Sequence, residues 1–462
     1  MAFEELIEFT KEKIKELGGK EEEPKNYVFR NNTGNIALEE GGAYFGFINP
    51  EEDPTGAYHD FCVVLFPDER NGENPWLLSL GIGSMGFRND FELAERPGFR
   101  RAFESILSET GFCKTDFTDI EKGLPREFTD RIPHLSPTLK KYSSVLPVCE
   151  ILEDPLSNDS KNRISAFLAI YAKSRGWLKN QTQRNEYEKC INKLRHEDGQ
   201  NDEEIVLNLI QKRKYVILTG APGTGKTRLA KIIKQRLNAE SFFIQFHAET
   251  DYSDFIYGII PNLQGNSLGY SNKFGVFHEA LKYAVDHKDK KVLLIVDEIN
   301  RANLSNILGP IFYLFEYRLQ DEEATEKIMV SPDFIINRIP DNFFMIGTMN
   351  TADRSLAVVD FALRRRFAWY NLKPKAIEAE SFFADDFNKF QDIFYWYANS
   401  NELNLQPGQG YFMAVDEPEF KLRVEYELMP LIREYLLEQL LIPAKEEFNN
   451  YFYNRINRKL FE

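Results

Sequence analysis

The stretch that most constrains this chain is KYVILTGAPGTGKT, at residues 214–227. An apolar run predicts a strand, a glycine-rich turn follows, and the next segment, LAKIIKQRL, has apolar residues at helical spacing. This order of strand, loop and helix is the context that the pattern G-x-x-x-x-G-K-[ST] requires. Glycines let the backbone turn its N–H groups inward, and the start of the following helix favours an anion. The stretch therefore predicts a loop that binds the phosphates of a nucleoside triphosphate.

Two side chains of this loop have specific chemistry. Lys226 can reach the outer phosphates, and the hydroxyl of Thr227 can contact Mg²⁺. An ordinary glycine-rich surface turn is the alternative, but it would not explain the flanking strand and helix. The residues expected to contact nucleotide are Gly220, Ala221, Pro222, Gly223, Thr224, Gly225, Lys226, Thr227 and Arg228.

Length and charge predict several modules. A chain of 462 residues with 43% apolar residues has enough apolar content for two or three cores. Residues 1–160 carry about −14 of the net charge of −15, which indicates separate modules and argues against a broad electrostatic grip on nucleic acid. We expect an α+β N-terminal domain (1–155), a linker with a basic helical segment (156–202), an α/β nucleotide-binding core (203–370) and a helical lid (371–462).

Two features of the N-terminal half permit two interpretations each. The aromatic residues Phe61, Trp76, Phe87 and Phe91 could line a recognition pocket, but packing into a small sheet core is preferred. The basic helix KNRISAFLAIYAKSRGWL could touch phosphates, but a solvated helix face is preferred.

The cysteines and the hydropathy pattern predict a cytoplasmic location. Cys62, Cys113, Cys149 and Cys190 are far apart and lack metal-ligand spacing, so we expect reduced thiols. We recognise no signal peptide, and no apolar run approaches the eighteen or so residues of a membrane span.

Acids and an amide follow the apolar runs of the predicted core. Asp297 and Glu298 end KVLLIVDE, which suits a buried strand beside the phosphate loop, and Asn350 ends FFMIGTMN. The first acid can hold Mg²⁺, and the second can orient and deprotonate an attacking water. The amide can hold the same water or the γ-phosphate, although an ordinary turn asparagine is the alternative.

An arginine triplet follows the segment LAVVDFAL. Arg364, Arg365 and Arg366 cannot all face one site from a helix end, so at least one is expected to point outward. An outward arginine that meets a neighbour's γ-phosphate would act in trans and would require oligomers. A solvated basic helix end is the alternative.

The motifs together resemble a known family. GAPGTGKT, FHAETDYSDFIYG, VDEINRANLSNILG, IGTMNTADRSLAVVDFALRRRF and a later GYF are similar to the McrB family over about residues 203–440. That family comprises the AAA+ motor subunits of modified-cytosine-dependent restriction systems. The resemblance implies an AAA+ P-loop fold, with a parallel sheet and a C-terminal helical lid, behind a separate α+β domain.

Site roles also follow from the resemblance. It implies that Lys226 and Thr227 bind phosphate and Mg²⁺, and that Asp297 and Glu298 are the metal-binding acid and the catalytic base. The further catalytic residues that it implies are Asn350, Asn300, Arg365 and Arg366. The lid segment reads PGQGYF where the family pattern is GHSYF-like, so lid contacts with nucleotide stay open.

The expected function is nucleotide hydrolysis within a defence complex. The resemblance implies homo-hexameric rings, GTP as substrate, DNA as target and a partner nuclease that resembles McrC. No NKxD motif is present, so the residues themselves leave GTP and ATP open. Two alternatives remain: an ATP-driven machine that remodels proteins, and a scaffold switched by nucleotide binding.

Overall fold

The computed structural model of this chain describes residues 2–68, 74–194, 201–264, 267–316, 326–352 and 361–461. Residue contacts divide the chain into unit 1, residues 1–198, and unit 2, residues 199–462. Residues 353–360 of the arginine-containing motif lie outside the described residues.

Unit 1 contains an antiparallel sheet. The strands among its described residues are β1 (Val28–Asn32), β2 (Tyr44–Ile48), β3 (Phe61–Phe66), β4 (Trp76–Ile82), β5 (Phe112–Cys113) and β6 (Val148–Leu152). They are ordered β1-β2-β3-β4-β6-β5. Strands β3 and β4 are buried along their whole length, because nearly every residue of FCVVLF and WLLSLGI is apolar and both faces of the sheet are covered.

Unit 1 also contains helices, several of which pack on this sheet. They are α1 (Ala2–Glu16), α2 (Asn35–Glu39), α3 (Phe91–Glu95), α4 (Pro97–Glu104), α5 (Arg126–Thr129), α6 (Ser136–Tyr142), α7 (Asn158–Ser174) and α8 (Gln181–Asn192). Phe61 and Trp76 are buried in the core, as the preferred interpretation of the aromatic residues expected. Phe91 is half exposed, at 50%.

The structure differs from the predicted linker at 156–202. Every residue of α7 from Ile164 to Ala172 is buried, and the helix contacts α1, α4 and β3. The segment ISAFLAIYA is almost wholly apolar, and such a helix is stable only when it is surrounded by other elements. The basic residues that suggested a solvated helix lie near its two ends. Helix α7 is therefore a central part of unit 1.

Unit 2 contains a parallel sheet. Its described strands are β7 (Tyr215–Gly220), β8 (Glu240–Gln245), β9 (Tyr257–Gln264), β10 (Ser267–Phe274), β11 (Val292–Asp297), β12 (Ile328–Ser331), β13 (Phe334–Ile336), β14 (Phe343–Asn350) and β15 (Ala368–Asn371). The parallel strands are ordered β15-β7-β14-β11-β8. Strand β14 thus lies between β7 and β11. Strand β11, which ends at Asp297, was expected beside the phosphate loop and is instead one strand further away. Strands β9 and β10 pair as one hairpin, and β12 and β13 pair as another.

Helices pack on both faces of the parallel sheet and continue to the end of the chain. They are α9 (Asp202–Arg213), α10 (Lys226–Leu237), α11 (Tyr252–Phe255), α12 (Val276–Asp286), α13 (Leu304–Leu308), α14 (Phe361–Arg366), α15 (Ala384–Tyr397), α16 (Glu417–Arg423), α17 (Met429–Leu437) and α18 (Lys445–Ile456). Val216 and Leu218 of β7 pack in the cluster that includes α9 and α10. Ile217 points to the opposite face and packs in the cluster that includes α12 and α13. The last four helices form a separate apolar core.

All four cysteines are free thiols, and Cys62, Cys149 and Cys190 are buried. No described helix has the length and apolar character that a membrane span needs.

Candidate active site

The phosphate loop connects β7 to α10, as the motif predicts. Gly223 and Gly225 have φ angles of 80° and 88°, a region that side-chain-bearing residues rarely adopt. Helix α10 then begins at Lys226. The loop carries the sequence-predicted residues from Gly220 to Thr227, and Arg228 lies exposed on the first turn of α10.

Lys226 is buried at the centre of this loop, at 7% exposure. Its ammonium donates to the backbone oxygens of Gly220 and Ala221 at 3.0 and 2.9 Å, and to Asn350 Oδ1 at 2.6 Å. Strands β7 and β14 are parallel neighbours, with Gly220 opposite Asn350, which explains why the lysine and the amide meet. The structure therefore brings two predicted site residues into direct contact.

Asp297 lies across the sheet edge from the loop. Thr227 Oγ1 donates to Asp297 Oδ1 at 2.8 Å, and the hydroxyl of Thr348 donates to the same oxygen at 2.6 Å. A hydroxyl beside a carboxylate offers the hard oxygen ligands that Mg²⁺ prefers. The donor set of Thr227 and Asp297 therefore fits Mg²⁺. Clusters of three or more His, Cys, Asp or Glu that could hold a metal are absent from the described residues, so protein ligands would have to be supplemented by water and phosphate.

Glu298 follows the last residue of β11 in a left-handed backbone conformation, with φ 53° and ψ 46°. Asn350 Nδ2 donates to Glu298 Oε1 at 2.5 Å, and Arg301 Nε lies 3.6 Å from Glu298 Oε2. A cavity of about 440 Å³ adjoins Glu298 and Arg301, with Gln245 and His247 also in its wall. A carboxylate beside such a cavity is placed to contact a small reactant such as water.

Two groups of predicted catalytic residues lie apart from these contacts. Asn300 is buried, and its Oδ1 has no hydrogen-bond partner among the described residues. Arg365 and Arg366 both pair with Glu316, at 3.2 and 2.9 Å, rather than with the phosphate loop. The side chain of Arg365 is 69% exposed, whereas that of Arg366 is 10% exposed. Arg364 stacks on the ring of Trp369.

The segment after the sheet contacts the phosphate loop through residues that the sequence analysis did not assign. The backbone N–H groups of Gly408 and Gly410 donate to the oxygens of Pro222 and Gly223, each at 2.9 Å. Gln409 Nε2 donates to the oxygen of Thr224 at 2.8 Å. Three consecutive carbonyls of the loop are therefore held by residues 408–410, here named the lid clamp. Its sequence signal is the spacing of two glycines around a glutamine in PGQGYF.

Similarity to known proteins supports the fold class that the sequence motifs predict. Residues 215–367 match the model of the AAA domain of the dynein-related subfamily. The match, the parallel sheet and the helical C-terminal region confirm the predicted fold class. Residues 215–367 thus have the fold of an AAA domain.

Two relatives come from restriction systems. The EcoKMcrB subunit of a type IV methyl-directed restriction enzyme from Escherichia coli is 40% identical over 177 residues, which cover 37% of this chain and 38% of that protein. The YdiS component of the BsuMI type II restriction enzyme from Bacillus subtilis is 26% identical over 195 residues, with 34% of this chain and 56% of that protein covered. The predicted resemblance to McrB is confirmed, and the matched segment spans about two fifths and over half of these relatives.

Among solved structures, part of this chain aligns with the RuvB Holliday junction branch migration motor of Thermotoga maritima. It is 19% identical, covers 43% of this chain and 50% of that chain, and has a TM-score of 0.23.

Proposed function

We propose that this chain is a Mg²⁺-dependent nucleoside triphosphatase that cleaves the bond between the β- and γ-phosphates of GTP. The observation that carries the proposal is the set of contacts at one edge of the parallel sheet. There Lys226 contacts Asn350, Asn350 contacts Glu298, and Thr227 contacts Asp297. A phosphate-binding cation, a metal-binding pair and a candidate base are the parts that phosphoryl transfer to water requires.

The residues have separate roles in this proposal. The N–H groups of the loop and Lys226 bind the phosphates, and the ammonium exchanges the Gly220 and Ala221 oxygens for phosphate oxygens. Glu298 accepts a proton from the attacking water, and Asn350 holds that carboxylate in place. Thr227 and Asp297 would hold Mg²⁺, which neutralises charge on the β- and γ-phosphates when bound.

The wider proposal places this hydrolysis in a restriction system. The 40% identity to the EcoKMcrB subunit supports the resemblance to the McrB family. From that resemblance we propose a motor that forms homo-hexameric rings, acts with a nuclease partner that resembles McrC, and works on DNA in the cytoplasm. The match covers 37% of the chain, and unit 1 lies outside the matched AAA segment. We therefore propose that unit 1 recognises the target, because a separate unit can be exchanged without changing the hydrolysis site.

Phosphate release from GTP and ATP tests the hydrolysis proposal. The full chain is assayed with Mg²⁺, alongside Lys226→Ala as the loop variant. We expect release by the full chain and a loss of about 10² or more in Lys226→Ala, since a positioned cation at the γ-phosphate contributes several kcal/mol. Binding without turnover would instead favour the nucleotide-switched scaffold.

The partner proposal needs its own experiment. The coding sequence next to this gene is co-expressed with the chain, and the purified mixture is incubated with GTP and with methylated or unmethylated DNA. We expect a nuclease subunit to co-purify and cleavage of DNA to require GTP; the two DNA substrates show whether methylation matters. A neighbour that lacks nuclease activity, together with ATP-driven unfolding of a protein substrate, would favour the remodelling machine.

A further inference from the structure

Thr348 links the two acids of the candidate site. It lies on β14 and is 1% exposed. Its hydroxyl donates to Asp297 Oδ1 at 2.6 Å, and the backbone N–H of Glu298 donates to the same hydroxyl at 3.1 Å. One side chain therefore contacts the carboxylate of the first acid and the backbone of the second.

Strand pairing explains this position. Strands β11 and β14 are parallel, and Val296 lies opposite Gly347, so Thr348 is next to Asp297 at the end of the paired segment. Side chains two residues apart on a strand point to the same face, so Thr348 and Asn350 face the same side of the sheet. The strand thus presents a hydroxyl to Asp297 and an amide to Glu298.

The hydrogen-bond chemistry determines the direction of both contacts. A threonine hydroxyl has one proton to donate and two lone pairs that accept. The carboxylate of Asp297 can only accept, so the proton points toward it, and a lone pair receives the N–H of Glu298. Serine can reproduce both bonds at this position, whereas valine, which has nearly the same shape as threonine, can make neither.

The backbone of Glu298 needs this support. Its φ of 53° is unusual for a residue with a side chain, and such a conformation persists only where surrounding contacts hold it. The N–H of Glu298 is fixed by Thr348, and the carboxylate is fixed by Asn350. The turn after β11 thus places this carboxylate in contact with the amide of Asn350.

We infer that Thr348 is a positioning residue for nucleotide hydrolysis. Its hydroxyl orients Asp297 toward the Mg²⁺ that this acid would bind, and it holds the turn that places Glu298. Both acids therefore depend on one hydroxyl, which donates to Asp297 and accepts from the backbone N–H of Glu298. This inference rests on the proposed function, because it concerns the same site. Partners that orient a metal ligand typically change metal affinity or activity by about 10- to 100-fold when they are removed.

The test compares Thr348→Val with Thr348→Ser in the full chain. Two measurements are made: kcat and KM for GTP, and the dissociation constant of a fluorescent GTP analogue with Mg²⁺ and with EDTA. We expect Thr348→Val to lower kcat by about 10- to 100-fold, and to reduce by a similar factor the gain in affinity that Mg²⁺ provides. In Thr348→Val, nucleotide affinity in EDTA should change by less than about threefold. Thr348→Ser should keep kcat and the gain in affinity from Mg²⁺ near their wild-type values.

Thr138→Val is the matched control. Thr138 is also a buried threonine, at 2% exposure, and its hydroxyl donates to the oxygen of Gly41 in unit 1. The same atoms are removed there without any change to Asp297 or Glu298. In Thr138→Val we expect some loss of stability, with kcat and the Mg²⁺ effect unchanged. Thr348→Val would give the same result if the role of Thr348 were purely structural.

The outcomes separate this inference from the proposed function. Normal kcat and a normal Mg²⁺ effect in Thr348→Val would overturn the inference, while a loss of turnover in Glu298→Gln would leave the proposed function standing. Normal turnover in Glu298→Gln would overturn the proposed function itself.

If Thr348→Val does not fold, Thr348→Cys takes its place, because a thiol is a weaker donor. An Mg²⁺ effect equal to that of the wild type in Thr348→Cys would then overturn the inference.

Discussion

Asn350 Nδ2 donates to Glu298 Oε1 at 2.5 Å, although the two residues are 52 positions apart in the chain. The oxygen of the same amide accepts from Lys226 at 2.6 Å. One side chain at the end of β14 therefore joins the phosphate-binding lysine to the candidate base. Each partner uses a different atom of the amide, so aspartate cannot replace it without losing the N–H donor.

Replacing the candidate base should separate binding from turnover. In Glu298→Gln we expect nucleotide affinity within about threefold of the wild type and turnover reduced by about 10² or more, because glutamine cannot accept the proton of water. Phosphate release and analogue binding measure the two quantities. Glu446→Gln, an exposed change on α18, is the control and should leave both unchanged. Normal turnover in Glu298→Gln would contradict the assignment of the base.

The preferred nucleotide should be GTP. The resemblance to the McrB family is the reason, and it is supported by 40% identity over 177 residues. We expect GTP to be hydrolysed faster than ATP when both are supplied at equal concentration. Competition kinetics with the two nucleotides in one reaction measure this directly, and a clear preference for ATP would favour the protein-remodelling alternative.

Arg365 and Arg366 should behave differently, because their exposures differ. Arg366 is 10% exposed, pairs with Glu316 and lies over the ring of Phe312, so Arg366→Ala should lower the free energy of unfolding by about 1–3 kcal/mol. Arg365 is 69% exposed, so in the proposed ring it is the arginine that a neighbouring subunit could contact. Arg365→Ala should therefore keep stability and nucleotide binding but lose turnover by about 10³ or more if it acts in trans. Thermal unfolding and phosphate release distinguish the two variants.

Mixed rings test whether Arg365 acts between subunits. Arg365→Ala and Glu298→Gln subunits are each expected to be nearly inactive. When they are mixed, some interfaces combine an intact glutamate with an intact arginine, so measurable activity should return. Light scattering must show that rings form and exchange. No recovery under those conditions would place the arginine in cis or in a structural role.

The lid clamp should be sensitive to a single methyl group. A Cβ at Gly408 would lie 2.2 Å from the carbonyl carbon of Gly223, so Gly408→Ala must displace the clamp or the loop. Overpacking of this kind costs about 1–3 kcal/mol, and we expect nucleotide affinity to fall by about 5- to 150-fold. Gly42→Ala adds the same methyl group in open space and serves as the control. Unchanged affinity in Gly408→Ala would show that the clamp is independent of nucleotide binding.

Elements with strong local signals were predicted well. Strand β14 has the predicted bounds, 343–350, because its apolar run ends at polar residues that cannot continue a buried strand. The prediction of a linker at 156–202 was wrong. The charged residues at the two ends of α7 suggested a solvated helix, whereas its apolar centre is buried. The hairpin of β9 and β10 was missed, since its residues alternate weakly between polar and apolar.

The sequence by itself determined the parts of this protein that depend on short-range physics. The glycines of the phosphate loop, the lysine and threonine after them and the polar ends of apolar strands each follow from local backbone and solvation requirements. Only the tertiary structure decided which of these meet. The insertion of β14 between β7 and β11 joined Asn350 to both Lys226 and Glu298, and it placed Thr348 beside Asp297. The same is true of the lid clamp, which lies about 185 residues beyond the loop it holds. Contacts of this range depend on the packing of the whole unit, and no local pattern of residues encodes it.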